Sequence, residues 1–215
     1  MEDMQKYIAE IQLLSDVICL EQIETPEQYA EAADTYRLRY RCDACEVEGY
    51  LALPKSFKGP IPAVIFNRGG NRDFAPLNPI WVSRYASHGY ISLGSQYRGN
   101  CGGTGREEFG GADVNDVIKL IDIVLQLSFV CKEGVYMSGH SRGGMMTYLA
   151  CARDSRIKAA TVGAGVADSF IMYETREQAM KEVYHDLVGG DPETHRDAFI
   201  ARSGTYWADK IIPPF

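Results

Sequence analysis

Residues 61–67, Ile-Pro-Ala-Val-Ile-Phe-Asn, form a short continuous apolar run entered between Pro60 and Pro62. A strand with one wet face alternates apolar and polar residues; a run without alternation is buried on both faces, as strands of a parallel sheet are. Such a strand obliges the chain to supply helices for both sides of its sheet. The sequence beyond it alternates accordingly. A helix is expected near 78–88, a strand at 90–95, a glycine-rich loop at 99–111, a helix over 113–128 and a strand at 134–140. A helix from 142 and a strand near 157–163 follow. Before the run, residues 35–42 and 45–54 alternate and read as two strands joined by a turn at Asp43-Ala44.

The flanks read differently. Ile8, Ile11, Leu14, Val17 and Ile18 recur at near-helical spacing, so residues 1–33 are expected to form an N-terminal helical segment. The main α/β domain is then 34–215. Within it, residues 166–205 lose the strand–helix rhythm and read as short helices capping the sheet.

Composition narrows the function. With 46% hydrophobic and 24% charged residues the chain has an ordinary globular make-up, and 215 residues suffice for one sizeable core. A net charge of −7 without a basic stripe argues against nucleic acid. No apolar run is long enough to span a membrane, and the start MEDMQKYIAE lacks the pattern of a signal peptide, so a cytoplasmic location is expected. The six cysteines then read as free thiols. Cys42-x-x-Cys45 has no second Cys or His pair and opens no helix, which argues against a metal or redox role. No metal or organic cofactor is expected.

The chemistry-bearing motif is Gly139-His140-Ser141-Arg142-Gly143. A G-x-S-x-G arises by chance about 0.1 times in a chain this long, so the motif alone is weak. Its context strengthens it: the apolar strand VYMSG runs directly in and the apolar helix GGMMTYLACA runs out. A strand-to-helix turn this tight strains the serine backbone and lifts its hydroxyl clear of the sheet. Ser141 is therefore the candidate nucleophile. The Arg142 amide, at the helix N-terminus, is a candidate oxyanion donor. Gly69 and Gly70, in the Asn67-Arg68-Gly69-Gly70-Asn71 loop after the first apolar run, are candidates for the second donor, against the plainer reading of a glycine turn. Neither this loop nor 99–105 fits a nucleotide-binding glycine pattern.

These segments together resemble the catalytic domain of the prolyl oligopeptidase family of serine peptidases. The resemblance runs over roughly residues 45–212. It rests on GYLALP, the NRGGN loop, Tyr97-Arg98-Gly99-Asn100 with Asp113 and Asp116, YMSGHSRGG, and RSGTYWADKI. It implies an α/β-hydrolase fold, a mostly parallel sheet with helices on both faces, and acyl transfer through Ser141. It also implies that the Arg142 amide and the Gly69-Gly70 loop hold the oxyanion. Where this chain has Arg68, family members often carry Tyr or His, which points to a backbone amide as the second donor. The family's acid and terminal histidine follow a further strand after W-A-D-K-I, so the resemblance places both beyond Phe215 and leaves this sheet without its last strands.

No upstream residue replaces them convincingly. His140 neighbours the nucleophile and must point away from it; His88 ends a helix; His185 and His195 lie in the capping stretch. Asp168 reads as a helix-capping or surface carboxylate rather than a triad acid. Three expectations follow. The chain is a serine hydrolase of peptidase or esterase type, weak or inactive by itself, or else a non-catalytic α/β-hydrolase-like binding module or inactive fragment. Its partners are small peptides or acyl esters. The bare edge of the strand near 157–163 is open to self-association.

Overall fold

The computed structural model describes residues 2–211, so the expectation about Phe215 lies outside the described residues. Seven strands form one sheet: β1 (Val17–Ile23), β2 (Ala33–Cys42), β3 (Cys45–Pro54), β4 (Ile61–Asn67), β5 (Ile91–Ser95), β6 (Val130–His140) and β7 (Ile157–Gly163). Their order is β1-β2-β3-β5-β4-β6-β7. Strands β5, β4, β6 and β7 are mutually parallel, and β1, β2 and β3 add an antiparallel flank. With the helices described next, this is the α/β-hydrolase fold.

The apolar run sits at the centre of the sheet, as its lack of alternation requires. Ala63 and Ile65 of β4 are fully buried in the large core. That core is closed by α3 (Val114–Gln126) and α4 (Arg142–Cys151). Helix α3 offers Val114, Val117, Leu120, Ile121 and Val124, a stripe at helical spacing. Helix α4 is buried almost all round, the pattern of a helix enclosed by sheet and neighbours. On the opposite face Phe66 stacks on Trp81 of α2 (Ile80–Ala86), ring centroids 4.9 Å apart.

The N-terminal expectation needs correction. Helix α1 (Glu2–Gln12) stops early, and Val17–Ile23 is strand β1, paired antiparallel with β2. The segment 1–33 is therefore not a separate helical unit. Val17 and Leu20 are buried beneath the sheet edge, and a buried apolar pair three apart satisfies helical periodicity and a bulged strand alike. Strand β6 also begins earlier than expected, at Val130, where Ile61 pairs with it. The capping stretch is helical as read: α5 (Ser169–Thr175), α6 (Gln178–Leu187) and α7 (Arg196–Ala201). Tyr184 and Phe199 stack at 4.9 Å and join this cap to the main core. Strand β7 ends the sheet, with no strand on its outer side among the described residues. No helix among them is long and apolar enough to cross a membrane.

Candidate active site

Strand β6 delivers Ser141 and α4 begins at the next residue. Ser141 has φ 56° and ψ −123°, a backbone state that non-glycine residues adopt only when their surroundings force it. The surroundings do. The Ser141 amide donates to the Gly163 carbonyl at 2.9 Å, and its own carbonyl accepts from the Gly144 amide at 2.9 Å. The turn also packs directly on β4: a β-carbon at Gly143 would lie 1.9 Å from the Asn67 carbonyl oxygen. Asn67 Nδ2 donates to Thr147 Oγ1 at 2.9 Å, and that hydroxyl donates to the Gly143 carbonyl at 2.8 Å. Strand end, loop and helix thus form one packed unit.

The Ser141 hydroxyl does not cap α4 and accepts no bond from it. Ser141 is half-buried and lines two hollows. One, of about 310 Å³, is bounded by Gly69, Gly70, Phe74, Leu77, Trp81 and His140. The other, of about 350 Å³, is bounded by Val166, Ala167, Asp168, Ile171, Met172 and Arg176. Phe74 is 74% exposed and Ile171 58%, large apolar surfaces left to solvent beside the nucleophile position. A larger hollow of about 580 Å³ between α1 and the β1–β2 strands lies away from Ser141 and contains no nucleophile–base pair.

Gly69, Gly70 and Ser141 line one hollow, and Arg142 opens the helix that follows Ser141. Gly69 packs on Ser141, and Gly70 takes φ +66° with no room for a β-carbon against the Phe74 carbonyl. The Arg68 guanidinium is taken up by backbone carbonyls. Buried, it donates to the carbonyls of Gln96 (3.0 Å), Gly69 (3.2 Å) and Ala75 (3.2 Å), tying the loop into a knot. Burial holds its pKa below the ordinary arginine value, and Tyr97 opposes that fall.

None of the other candidates is hydrogen-bonded to the hydroxyl among the described residues. Asp168 Oδ1 accepts from the amides of Phe170 (2.9 Å) and Ile171 (3.2 Å), and Oδ2 accepts from Thr205 Oγ1 at 2.9 Å; it caps α5. His185 Nε2 meets Tyr173 Oη at 2.9 Å, His195 Nδ1 meets Thr194 Oγ1 at 3.0 Å, and His88 Nδ1 meets the Arg84 carbonyl at 2.8 Å. His140 is exposed, with its ring beside Gly163. Cys42 and Cys45 are free thiols at the β2–β3 turn.

Sequence reasoning missed a buried charge cluster behind the loop. The Arg142 side chain forms ion pairs with Glu107 and Asp113, all three almost wholly enclosed. Burial opposes the Arg142 charge, but Asp113 and Glu107 outweigh it and hold the guanidinium above its ordinary pKa. No local pattern signals this, since Glu107 and Arg142 are brought together only by the fold. Arg98 forms a second buried pair with Asp116, Nη2 to Oδ1 at 2.7 Å, which gives the Tyr97-Arg98 and Asp113–Asp116 motifs a structural purpose.

Comparison with known proteins agrees with this architecture. "Uncharacterized peptidase YtmA" of Bacillus subtilis (strain 168) is 29% identical over 180 residues, covering 83% of this chain and 69% of that protein. The Pyrococcus horikoshii acylaminoacyl peptidase superposes with a TM-score of 0.70 at 20% identity, over 85% of this chain and 31% of that one. This chain thus spans under a third of that peptidase. The acetyl xylan esterase from Paenibacillus sp. R4 superposes with a TM-score of 0.69 at 18% identity, over 97% of this chain and 75% of the esterase. At these identities the structural likeness speaks for the fold alone. The profile of the prolyl oligopeptidase family of peptidases matches residues 78–210, more than half of the sequence, and the chain belongs to that family.

Proposed function

We propose that the chain carries the nucleophile and oxyanion site of a serine hydrolase, acting by acyl transfer on short peptides or small acyl esters. Family membership supports a hydrolase of peptidase or esterase type. The observation that carries the finer reading is Ser141 itself: a strained serine whose hydroxyl caps nothing and which lines two hollows beside a glycine loop and a helix N-terminus.

In this reading Ser141 Oγ attacks the carbonyl carbon and its proton passes to a general base. The carbonyl π pair becomes an oxyanion facing the amides of Arg142 and of Gly69 or Gly70. Collapse breaks the bond to the amine or alcohol, which leaves with the proton, and water then releases the acid from acyl-Ser141. Among the described residues no histidine ring bonds Ser141 Oγ, so in this reading residues 2–211 do not supply the base and acid. Segment 2–211 by itself then retains at most the ~10³–10⁴-fold over water that oxyanion and binding terms provide.

The partnerless hydroxyl also favours a second reading, a non-catalytic binding module of the same fold. One experiment separates them. A fluorophosphonate forms an Oγ–P bond with loss of fluoride only at an activated serine. Labelling at Ser141 of the full-length protein, in which the base and acid are present, abolished in Ser141→Ala, is the expected result. A chain that stays unlabelled while binding peptides or esters would establish the binding module instead.

A further inference from the structure

Arg68, Gly70 and Arg72, alternate residues of the loop beside Ser141, are each held by one backbone atom from behind. Tyr97 Oη donates to the Arg68 carbonyl at 2.9 Å, Arg142 Nη1 donates to the Gly70 carbonyl at 3.1 Å, and one Glu107 carboxylate oxygen accepts from the Arg72 amide. The other Glu107 oxygen accepts from Arg142 Nη1. We infer that Glu107 is a positioning residue that locks the Arg68–Arg72 loop to the residue following the nucleophile, making two separate segments one preformed oxyanion site. The inference rests on the hydrolase reading of Ser141.

The latch is stiff at both ends. Arg142 follows Ser141 directly, so its α-carbon is fixed by the elbow. Its guanidinium lies against the rings of Tyr97 and Phe109, 4.6 and 4.8 Å from their centroids, and its Nη2 is held by Asp113. Glu107 is only 3% exposed, so the loop cannot drift without parting a buried charge pair. Buried ion pairs add little net stability compared with apolar packing, whereas charge-assisted bonds in fixed directions set geometry strongly. Geometry is what an oxyanion site needs, because donors act only where the charge develops. The exposed pair of Arg72 Nη1 with Asp186, at 3.0 Å, is a solvent-screened addition to the same loop.

The test is the second-order rate of fluorophosphonate labelling at Ser141 in the full-length protein, with the labelled fraction counted separately. Glu107→Gln keeps the shape and removes the charge. Its rate is expected to fall roughly 10- to 100-fold, as for a displaced donor, with the labelled fraction near that of wild type. A structural role alone would lower the labelled fraction and leave the rate of the folded molecules unchanged, and that result overturns the inference. Should Glu107→Gln not fold, Tyr97→Phe removes only the hydroxyl on the Arg68 carbonyl. A rate roughly 3- to 10-fold lower is then expected, and a wild-type rate overturns the latch. Absence of labelling in wild type would instead remove the hydrolase reading.

Discussion

Gly69 and Ser141 are in direct contact: a β-carbon built on Gly69 lies 3.2 Å from Ser141 Cβ, 3.8 Å from its Oγ and 3.1 Å from the His140 carbonyl oxygen. The loop after β4 thus lies against the nucleophile turn, and a side chain at Gly69 would require its neighbours to give by a few tenths of an ångström.

Gly69→Ala therefore pushes the loop back without forbidding the fold, because the contacts are tight rather than impossible. Fluorophosphonate labelling at Ser141 is expected to slow roughly 10- to 100-fold, since small misplacements of catalytic groups are costly. Thermal unfolding should show the variant still folded. Labelling at the wild-type rate would place the oxyanion donors elsewhere.

Asp168→Ala separates a capping carboxylate from a triad acid. Loss of the bonds to the Phe170 and Ile171 amides is expected to cost about 1 kcal/mol in urea-unfolding free energy. The labelling rate should fall far less than the ~10⁴-fold that follows loss of a triad aspartate's function. A collapse of that size with an intact fold would return Asp168 to the catalytic set.

Alkaline pH should unfold this protein. Burial pushes the thiols of Cys42 and Cys151 up from 9.0 to about 12, with Asp116 reinforcing the effect at Cys42. Burial likewise lifts the Tyr184 phenol to about 12. Above pH 9 the unfolded chain releases these protons while the folded chain keeps them. The folded state then binds more protons, and stability falls as pH rises from about 9 through 12. Urea midpoints should decline over that window, less steeply in Cys151→Ala. A flat profile up to pH 11 would contradict the burial of these groups.

Much of this was legible without coordinates. The unalternating run 61–67 gave a central strand because two-sided burial leaves a local imprint. The G-x-S-x-G motif placed Ser141 in a strained turn because only glycine fits where β6 meets α4 and β4, as Gly143 against Asn67 shows. The Gly69-Gly70 loop could be named a candidate because it follows an adjacent strand. In contrast, Val17–Ile23 read as helix, since its apolar spacing suits either state and only pairing with β2 decides.

What the residues dictated locally was the strand–turn–helix unit and the serine at its bend, since backbone sterics act over a few neighbours. The cap of Asp168 on α5 is likewise local, whereas tertiary structure alone decided that the Arg68 guanidinium turns back onto the Gln96 carbonyl. It alone decided that Glu107, 35 residues away, clasps Arg142. Charges carry no sequence signature of their partners: a buried ion pair depends on which surfaces the folded chain closes over it, and only the packed sheet and its loops determine that.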